Sequence, residues 1–273
     1  MNKPKTTQSF IKWTGSKRHI ANQIVGKFPQ LIDKYYEPFI GGGSVFFELL
    51  RSGKSVNQYL LSDANESLIN IYKLLFSNPQ ILIESYLEKW SSLQKDSNFF
   101  YSQREIFNES GCPLAFYFLT RTCYNGTIRF SKNGKFNTSH HFGRKGMAPE
   151  KVKKSILYHH DLMAGKDISF STSSFESVLP KNCEDVMYLD PPYTNTKTLY
   201  FGNIDFNKFQ EWLNSLPCSW FLNINGINSK DNEEIISAQY NEKILLDSGN
   251  SSFSRMKGKN VNVQEYFYIK HNE

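Results

Sequence analysis

Asp190-Pro191-Pro192-Tyr193 follows the apolar run Val186-Met187-Tyr188-Leu189, which puts a carboxylate, two rigid residues and an aromatic ring at the expected end of a strand. Ligands of open α/β sheets bind at such carboxyl ends. The prolines carry no N–H and fix φ, so the turn offers acceptors only: the Asp190 carboxylate and the backbone carbonyls, beside the Tyr193 ring. That set suits a planar group that donates N–H bonds, such as an amino-substituted base. Taken alone, the four residues are more often an ordinary proline turn.

Three other segments change that balance. Glu37-Pro38-Phe39-Ile40-Gly41-Gly42-Gly43 follows an earlier strand-like run and leads into a helical pattern at Ser44, so a ligand could approach the backbone at a helix N-terminus. The segment departs from the dinucleotide fingerprint, which needs glycine where Phe46 stands, and this argues against a nicotinamide cofactor. Asp63 closes the next strand-like run, where a carboxylate suits ribose hydroxyls. Lys17, in Trp13-Thr14-Gly15-Ser16-Lys17, falls in the expected first turn of a helix, where a cation opposes the helix dipole unless an anionic group meets it.

Charge is concentrated in one stretch. From Arg121 to Tyr158 there are nine basic residues (Arg121, Arg129, Lys132, Lys135, Arg144, Lys145, Lys151, Lys153 and Lys154) against Glu150 alone, in a chain of net charge +6. They alternate with Tyr124, Asn125, Phe130, Asn133, Asn137 and several glycines, a mixture suited to phosphates and base edges. A solvated basic loop fits the charge equally well.

The elements that must hold these residues follow from hydropathy patterning. Short strand-like runs at Tyr35 to Ile40, Tyr59 to Ser62, Ile168 to Ser171, Val186 to Leu189, Trp220 to Asn225, Lys243 to Leu246 and Glu265 to Lys270 alternate with helical patterns, among them 17–28, 44–51, 66–76 and 206–216. This alternation predicts an α/β fold with a mostly parallel sheet. The last two runs lack a helix between them, which predicts an antiparallel hairpin turning near 251–260. Roughly a hundred residues separate the second run from the third, far more than a βα unit needs. The expected organisation is therefore a discontinuous sheet domain, 1–76 and 151–273, with an inserted, mainly helical domain at 77–150.

No run approaches the ~20 apolar residues of a membrane span, and no charged-then-apolar leader opens the chain. Cys112, Cys123, Cys183 and Cys218 form no C-x-x-C pair, and the pairs His140-His141 and His159-His160 lack acidic or cysteine partners, so no metal site is expected. The chain reads as soluble and intracellular.

In order and content these motifs resemble the Dam-type DNA adenine-N6 methyltransferases (D12 class, alpha group), which include type II modification methylases. The resemblance covers nearly the whole chain. It runs from Lys12-Trp13-Thr14-Gly15-Ser16-Lys17 through the glycine segment and Ser62-Asp63-Ala64-Asn65 to Asp190-Pro191-Pro192-Tyr193. In the insert, Tyr124-Asn125-Gly126-Thr127-Ile128-Arg129, Gly134-Lys135-Phe136-Asn137 and Gly143-Arg144 are similar to family elements. The family shows glycine where Ser16 stands and an acid where Ser174 stands.

The resemblance implies a Rossmann-like S-adenosylmethionine-dependent methyltransferase sheet with an inserted DNA-recognition domain. Trp13 and Lys17 are then expected near the methionine end of the cofactor. Glu37, Phe39, Gly41 and Gly43 would form its loop, Asp63 would hold its ribose, and Phe175 would stack near its adenine. Asp190 would stand against both cofactor and target. Tyr193 would stack on an adenine flipped from double-stranded DNA, while Asp190 and the Pro191 carbonyl accept its N6 hydrogens and Pro192 stiffens the turn. Tyr124, Asn125, Arg129, Asn137 and Arg144 would contact DNA, with Arg129 the expected guanine reader. Arg255, Lys257 and Lys259, in the expected late hairpin, would add phosphate contacts or simply form an exposed basic loop. The implied protein is a monomeric, cytoplasmic enzyme of bacterial or phage origin. Its target would be GATC by family habit, and a cognate restriction endonuclease would act independently on the same site. Cytosine N4, RNA adenine or a glutamine side chain as acceptor, and a non-catalytic nucleic-acid-binding relative, stay open as alternatives.

Overall fold

The computed structural model describes residues 9–141, 143, 145–192, 204–225, 238–250 and 262–272. Within them the strands β1 (Leu31–Glu37), β2 (Ser55–Asp63), β3 (Ile168–Thr172), β4 (Val186–Leu189), β5 (Ser219–Asn225), β6 (Glu242–Asn250) and β7 (Asn262–Lys270) form one sheet in the order β3-β2-β1-β4-β5-β7-β6. β1 to β5 are parallel, while β7 runs antiparallel to both its neighbours, β5 and β6. The last two strands thus pair antiparallel as expected, their turn at 251–260 lying outside the described residues, and α/β is the fold class.

Both faces of the sheet are covered, which is why β4 is apolar at every position and buried at every position. Successive residues alternate between two cores. Val186, Tyr188, Phe221, Phe267 and Ile269 enter one; Met187, Leu189, Trp220, Leu222 and Tyr268 enter the other. The second core is closed by α8 (Phe206–Ser215) through Phe209, Trp212 and Leu213, and Asp205 caps that helix by accepting from the N–H groups of Asn207 and Lys208. The first is covered by α1 (Ala21–Gly26), α2 (Ser44–Arg51), α3 (Glu66–Ser77) and α7 (Pro149–Met163).

Between α3 and α7 the chain makes the long excursion anticipated from its sequence. α4 (Pro79–Lys95), α5 (Phe99–Ser110) and α6 (Pro113–Thr122) are followed by an irregular segment that returns at Pro149. Phe107 stacks on Phe116 at 4.4 Å, Phe136 packs edgewise on Phe116 and Phe130, and Phe130 is tilted against Phe116. This aromatic cluster is continuous with the apolar layer on the sheet, so no break in the core separates the insert from β1 and β2.

Several boundaries differ from the sequence pattern: β2, β6 and β7 are longer than their runs, and β1 and α1 bear on the site. β1 begins at Leu31, where parallel pairing with Ser55 starts, and stops at Glu37 because Pro38 has no N–H to extend a ladder. α1 begins at Ala21, not Lys17: Gly15 has φ +78° and a turn from the Ile20 N–H to the Lys17 carbonyl precedes the helix. Lys17 therefore lies outside the helix it was expected to open.

Candidate active site

Strand order decides where a site can form. From β1 the chain moves outward to β2 and β3, and from β4 it moves the other way to β5, so the carboxyl ends of neighbours β1 and β4 diverge. A cavity of about 350 Å³ lies there. Trp13, Lys17, Glu37, Phe39, Gly41, Gly43, Asp63, Phe175 and Asp190, drawn from five separate segments, all line it. These are the nine residues expected to surround a cofactor.

The floor is the glycine segment. Asp63, at the end of β2, accepts the Gly41 N–H at 3.1 Å through one oxygen and the Asn65 N–H at 3.0 Å through the other. Asn65 in turn caps α3 by accepting from the Leu68 N–H. Asp63 thus ties the loop to the next helix as well as facing the cavity. Burial raises its pKa to about 6 against the pull of those backbone N–H groups. The missing side chains of the loop are used by the protein itself: a Cβ on Gly41 would lie 2.8 Å from the Trp13 indole nitrogen, and one on Gly43 2.6 Å from the Tyr72 hydroxyl. Both glycines have positive φ. The Tyr72 hydroxyl donates to the Gly41 carbonyl at 2.9 Å, and the hydroxyls of Ser16 and Ser44 bond at 2.7 Å, joining the N-terminal segment to α2.

The aromatic wall is Phe39 and Phe175, with ring centroids 5.7 Å apart, backed by Phe209 and Trp212. Glu176 lines the cavity beside Phe175 and accepts a bond from the Ser174 hydroxyl, so an acid stands next to the position where the family pattern led one to expect it.

Glu37 is buried at the end of β1 and accepts the Tyr35 hydroxyl at 2.7 Å. Burial, then the nearby Asp190 and Asp63 charges, push its pKa up to about 8, while the Tyr35 hydroxyl and the Phe46 N–H oppose the rise.

Lys17 meets an anion although it does not open a helix, and the anion is built into the chain. Its ammonium lies 2.9 Å from Asp190 Oδ1 and 3.4 Å from Glu265 Oε2, and donates to the Gly15 carbonyl at 3.1 Å. Glu265 also accepts from Asn223 Nδ2 at 3.2 Å, and Asn223 Oδ1 accepts the Tyr188 hydroxyl at 3.1 Å. Sequence reasoning missed Tyr188, Asn223 and Glu265. The available signal was a polar residue where strand alternation called for an apolar one, at Asn223 and Glu265.

Of the expected DNA-contacting residues, Tyr124, Asn125, Arg129 and Asn137 lie on the insert and do not line the cavity. Tyr124 is exposed and stacks on His141 at 4.9 Å; Asn125 is left-handed at φ 53°, a conformation asparagine tolerates better than most. Arg129 Nε donates to Asn137 Oδ1 at 2.8 Å, across a tight loop closed by the Phe130–Phe136 bridge. Phe130 reaches the cavity. One residue of the basic stretch departs from it: Arg121 is buried, donating to the carbonyls of Ser9 and Phe10 and to Met147 Sδ, so it joins the N-terminal segment to α6. Tyr193, Arg144, Arg255, Lys257 and Lys259 lie outside the described residues. Among the described residues no helix is long and apolar enough to cross a membrane, and no cluster of three or more potential metal ligands occurs.

Comparison with known proteins agrees with this geometry. The chain is 34% identical over 221 residues to the type II methyltransferase M.MjaIII of Methanocaldococcus jannaschii, covering 72% of this chain and 74% of that one. It is 30% identical over 198 residues to the DNA adenine methylase of Serratia marcescens (69% and 68% covered). To that of Vibrio cholerae it is 31% identical over 210 residues (73% and 72% covered). The model of the D12 class N6 adenine-specific DNA methyltransferases matches residues 13–244, a span from Trp13 at the cavity through the whole insert and past Asp190. The chain therefore belongs to the D12 class N6 adenine-specific DNA methyltransferases.

Proposed function

We propose that S-adenosylmethionine is the methyl donor, that it is held in the cavity between β1 and β4, and that Asp190-Pro191-Pro192-Tyr193 receives adenine flipped from double-stranded DNA. The supporting observation is that residues scattered from Trp13 to Asp190 line one cavity with Asp190 among them. Its donor set suits this ligand: the Phe39–Phe175 wall fits a purine, Asp63 and Glu176 are acceptors for hydroxyl or amino groups, and Glu37 suits a cation. When bound, the cofactor supplies an electrophilic methyl on a sulfonium.

Adenine N6 is a weak nucleophile because its lone pair is delocalised into the ring. The Asp190 carboxylate and the Pro191 carbonyl accept its two hydrogens, which orients N6 and favours localisation of the lone pair. Pro191 and Pro192 offer no N–H that would compete for N6. Tyr193 stacks on the extruded base, worth about 1–3 kcal/mol against the cost of flipping. The 77–150 insert presents Tyr124, Asn125, Arg129, Asn137 and Arg144 to the duplex, with Arg129 reading guanine. The enzyme acts as a monomer in the cytoplasm, on a site a restriction endonuclease can share. Asp190→Asn tests the reading: it keeps shape and loses charge, and is expected to lower methyl transfer by at least 100-fold with DNA affinity retained. Normal turnover in this variant would overturn the assignment.

A further inference from the structure

Tyr188, Asn223 and Glu265 continue the apolar rows of one sheet face into the site. On β4 the row runs Val186, Tyr188; on β5, Phe221, Asn223; on β7, read backwards because that strand is reversed, Ile269, Phe267, Glu265. The reversal of β7 brings its first half to the carboxyl edge of β5, where Asn225 pairs with Glu265. All three side chains are buried. Burying a carboxylate, an amide and a hydroxyl in such a row costs stability unless they are mutually bonded, and here they are: Tyr188 to Asn223, Asn223 to Glu265, Glu265 to Lys17, Lys17 to Asp190. The chain of bonds ends at Asp190, just past the end of β4 and two residues beyond where it began.

We propose that Glu265 is a positioning residue for methyl transfer, acting through Lys17 on Asp190, in the catalytic reading given above. A lysine ammonium is a point charge on a flexible stem with three donors. Gly15, Asp190 and Glu265 each supply an acceptor, and Glu265 is anchored to the sheet by a second side chain, Asn223. It does two things. It fixes the direction from which Lys17 reaches Asp190 Oδ1, and it shares the ammonium's charge, so Asp190 remains a strong acceptor for the N6 hydrogens. Without the Glu265 charge, Lys17 would neutralise Asp190 more completely and weaken that acceptance.

The test is single-turnover methyl transfer with saturating S-adenosylmethionine and duplex DNA, with both dissociation constants measured separately. Glu265→Gln, which preserves volume and removes charge, is expected to slow transfer about tenfold or more while both dissociation constants stay within threefold. Glu265→Asp, which restores the charge one methylene short, should recover at least threefold of that loss. In a Lys17→Met background Glu265→Gln should have less than a twofold effect, an outcome that a purely structural role does not give. Transfer at the parent rate in Glu265→Gln, equal rates for the Asp and Gln variants, or an undiminished effect without Lys17 would each overturn the proposal; so would a loss confined to donor affinity. Asp190→Asn measured alongside separates the two levels. Turnover retained there removes the catalytic reading itself, whereas an inactive Asp190→Asn beside a fully active Glu265→Gln removes only the role of Glu265.

Discussion

At the scale of single residues, the cavity is marked by carboxylates taken out of water. Glu37, pushed up to about 8 chiefly by burial, holds its proton at neutral pH and releases it as pH rises. A cationic donor favours the ionised form, so its dissociation constant should tighten several-fold between pH 6 and about 8.5 and then level off. At pH 7 binding should release a proton, seen by calorimetry in buffers of different ionisation enthalpy, and Glu37→Gln should remove both effects. The same shift acts on stability: the Glu37 contribution is full below its ordinary value of 4.5 and is lost as pH rises toward 8, because only the folded state still holds the proton. On the insert, Arg129 is aimed by its bond to Asn137. Arg129→Ala should relax preference at one guanine by about 1–3 kcal/mol in a panel of singly altered sites; a uniform loss across the panel would mark a phosphate contact instead.

At the scale of elements, the glycine loop and the reversed strand are the two devices that make the cavity. Gly43 ends the loop at φ +64° and precedes α2, with the Tyr72 hydroxyl where its Cβ would be. Gly43→Ala should therefore cost about 1–3 kcal/mol in chemical denaturation and weaken donor binding more than DNA binding, since Tyr72 also holds the Gly41 carbonyl. The loop was legible from the spacing of Glu37, Gly41 and Gly43, because strand, glycines and helix follow one another in the chain. That Trp13 and Tyr72 occupy the space beside it was not, because both arrive from elsewhere. β4 and α2 were legible to the residue, being bounded by local pattern; α1 was not, because a turn held by Gly15 and Lys17 delays it.

At the scale of the whole molecule, the cavity and the insert meet at several side chains, Phe130 and Thr14 among them. Thr14, which lines the cavity, accepts the Ile128 N–H at 3.0 Å, and its hydroxyl donates to the Ile128 carbonyl at 3.4 Å, one residue before Arg129. Donor binding is expected to tighten DNA binding through this link. Thr14→Val should lose about 1 kcal/mol of stability, the cost of an unmade, partly buried bond, and should reduce the donor-dependent gain in DNA affinity measured by titration with and without S-adenosylmethionine. The sequence by itself determined the α/β alternation, the insert between β2 and β3, and the segments bearing Trp13, Gly41, Asp63 and Asp190, because each is written in contiguous residues whose period or spacing carries the signal. Only the tertiary structure decided that Lys17 faces Asp190 and Glu265, that Arg121 is buried, and that Asn223 and Glu265 stand behind Lys17 and Asp190. Those contacts depend on strand order and on the reversal of β7, which arise from long-range pairing that no local pattern encodes.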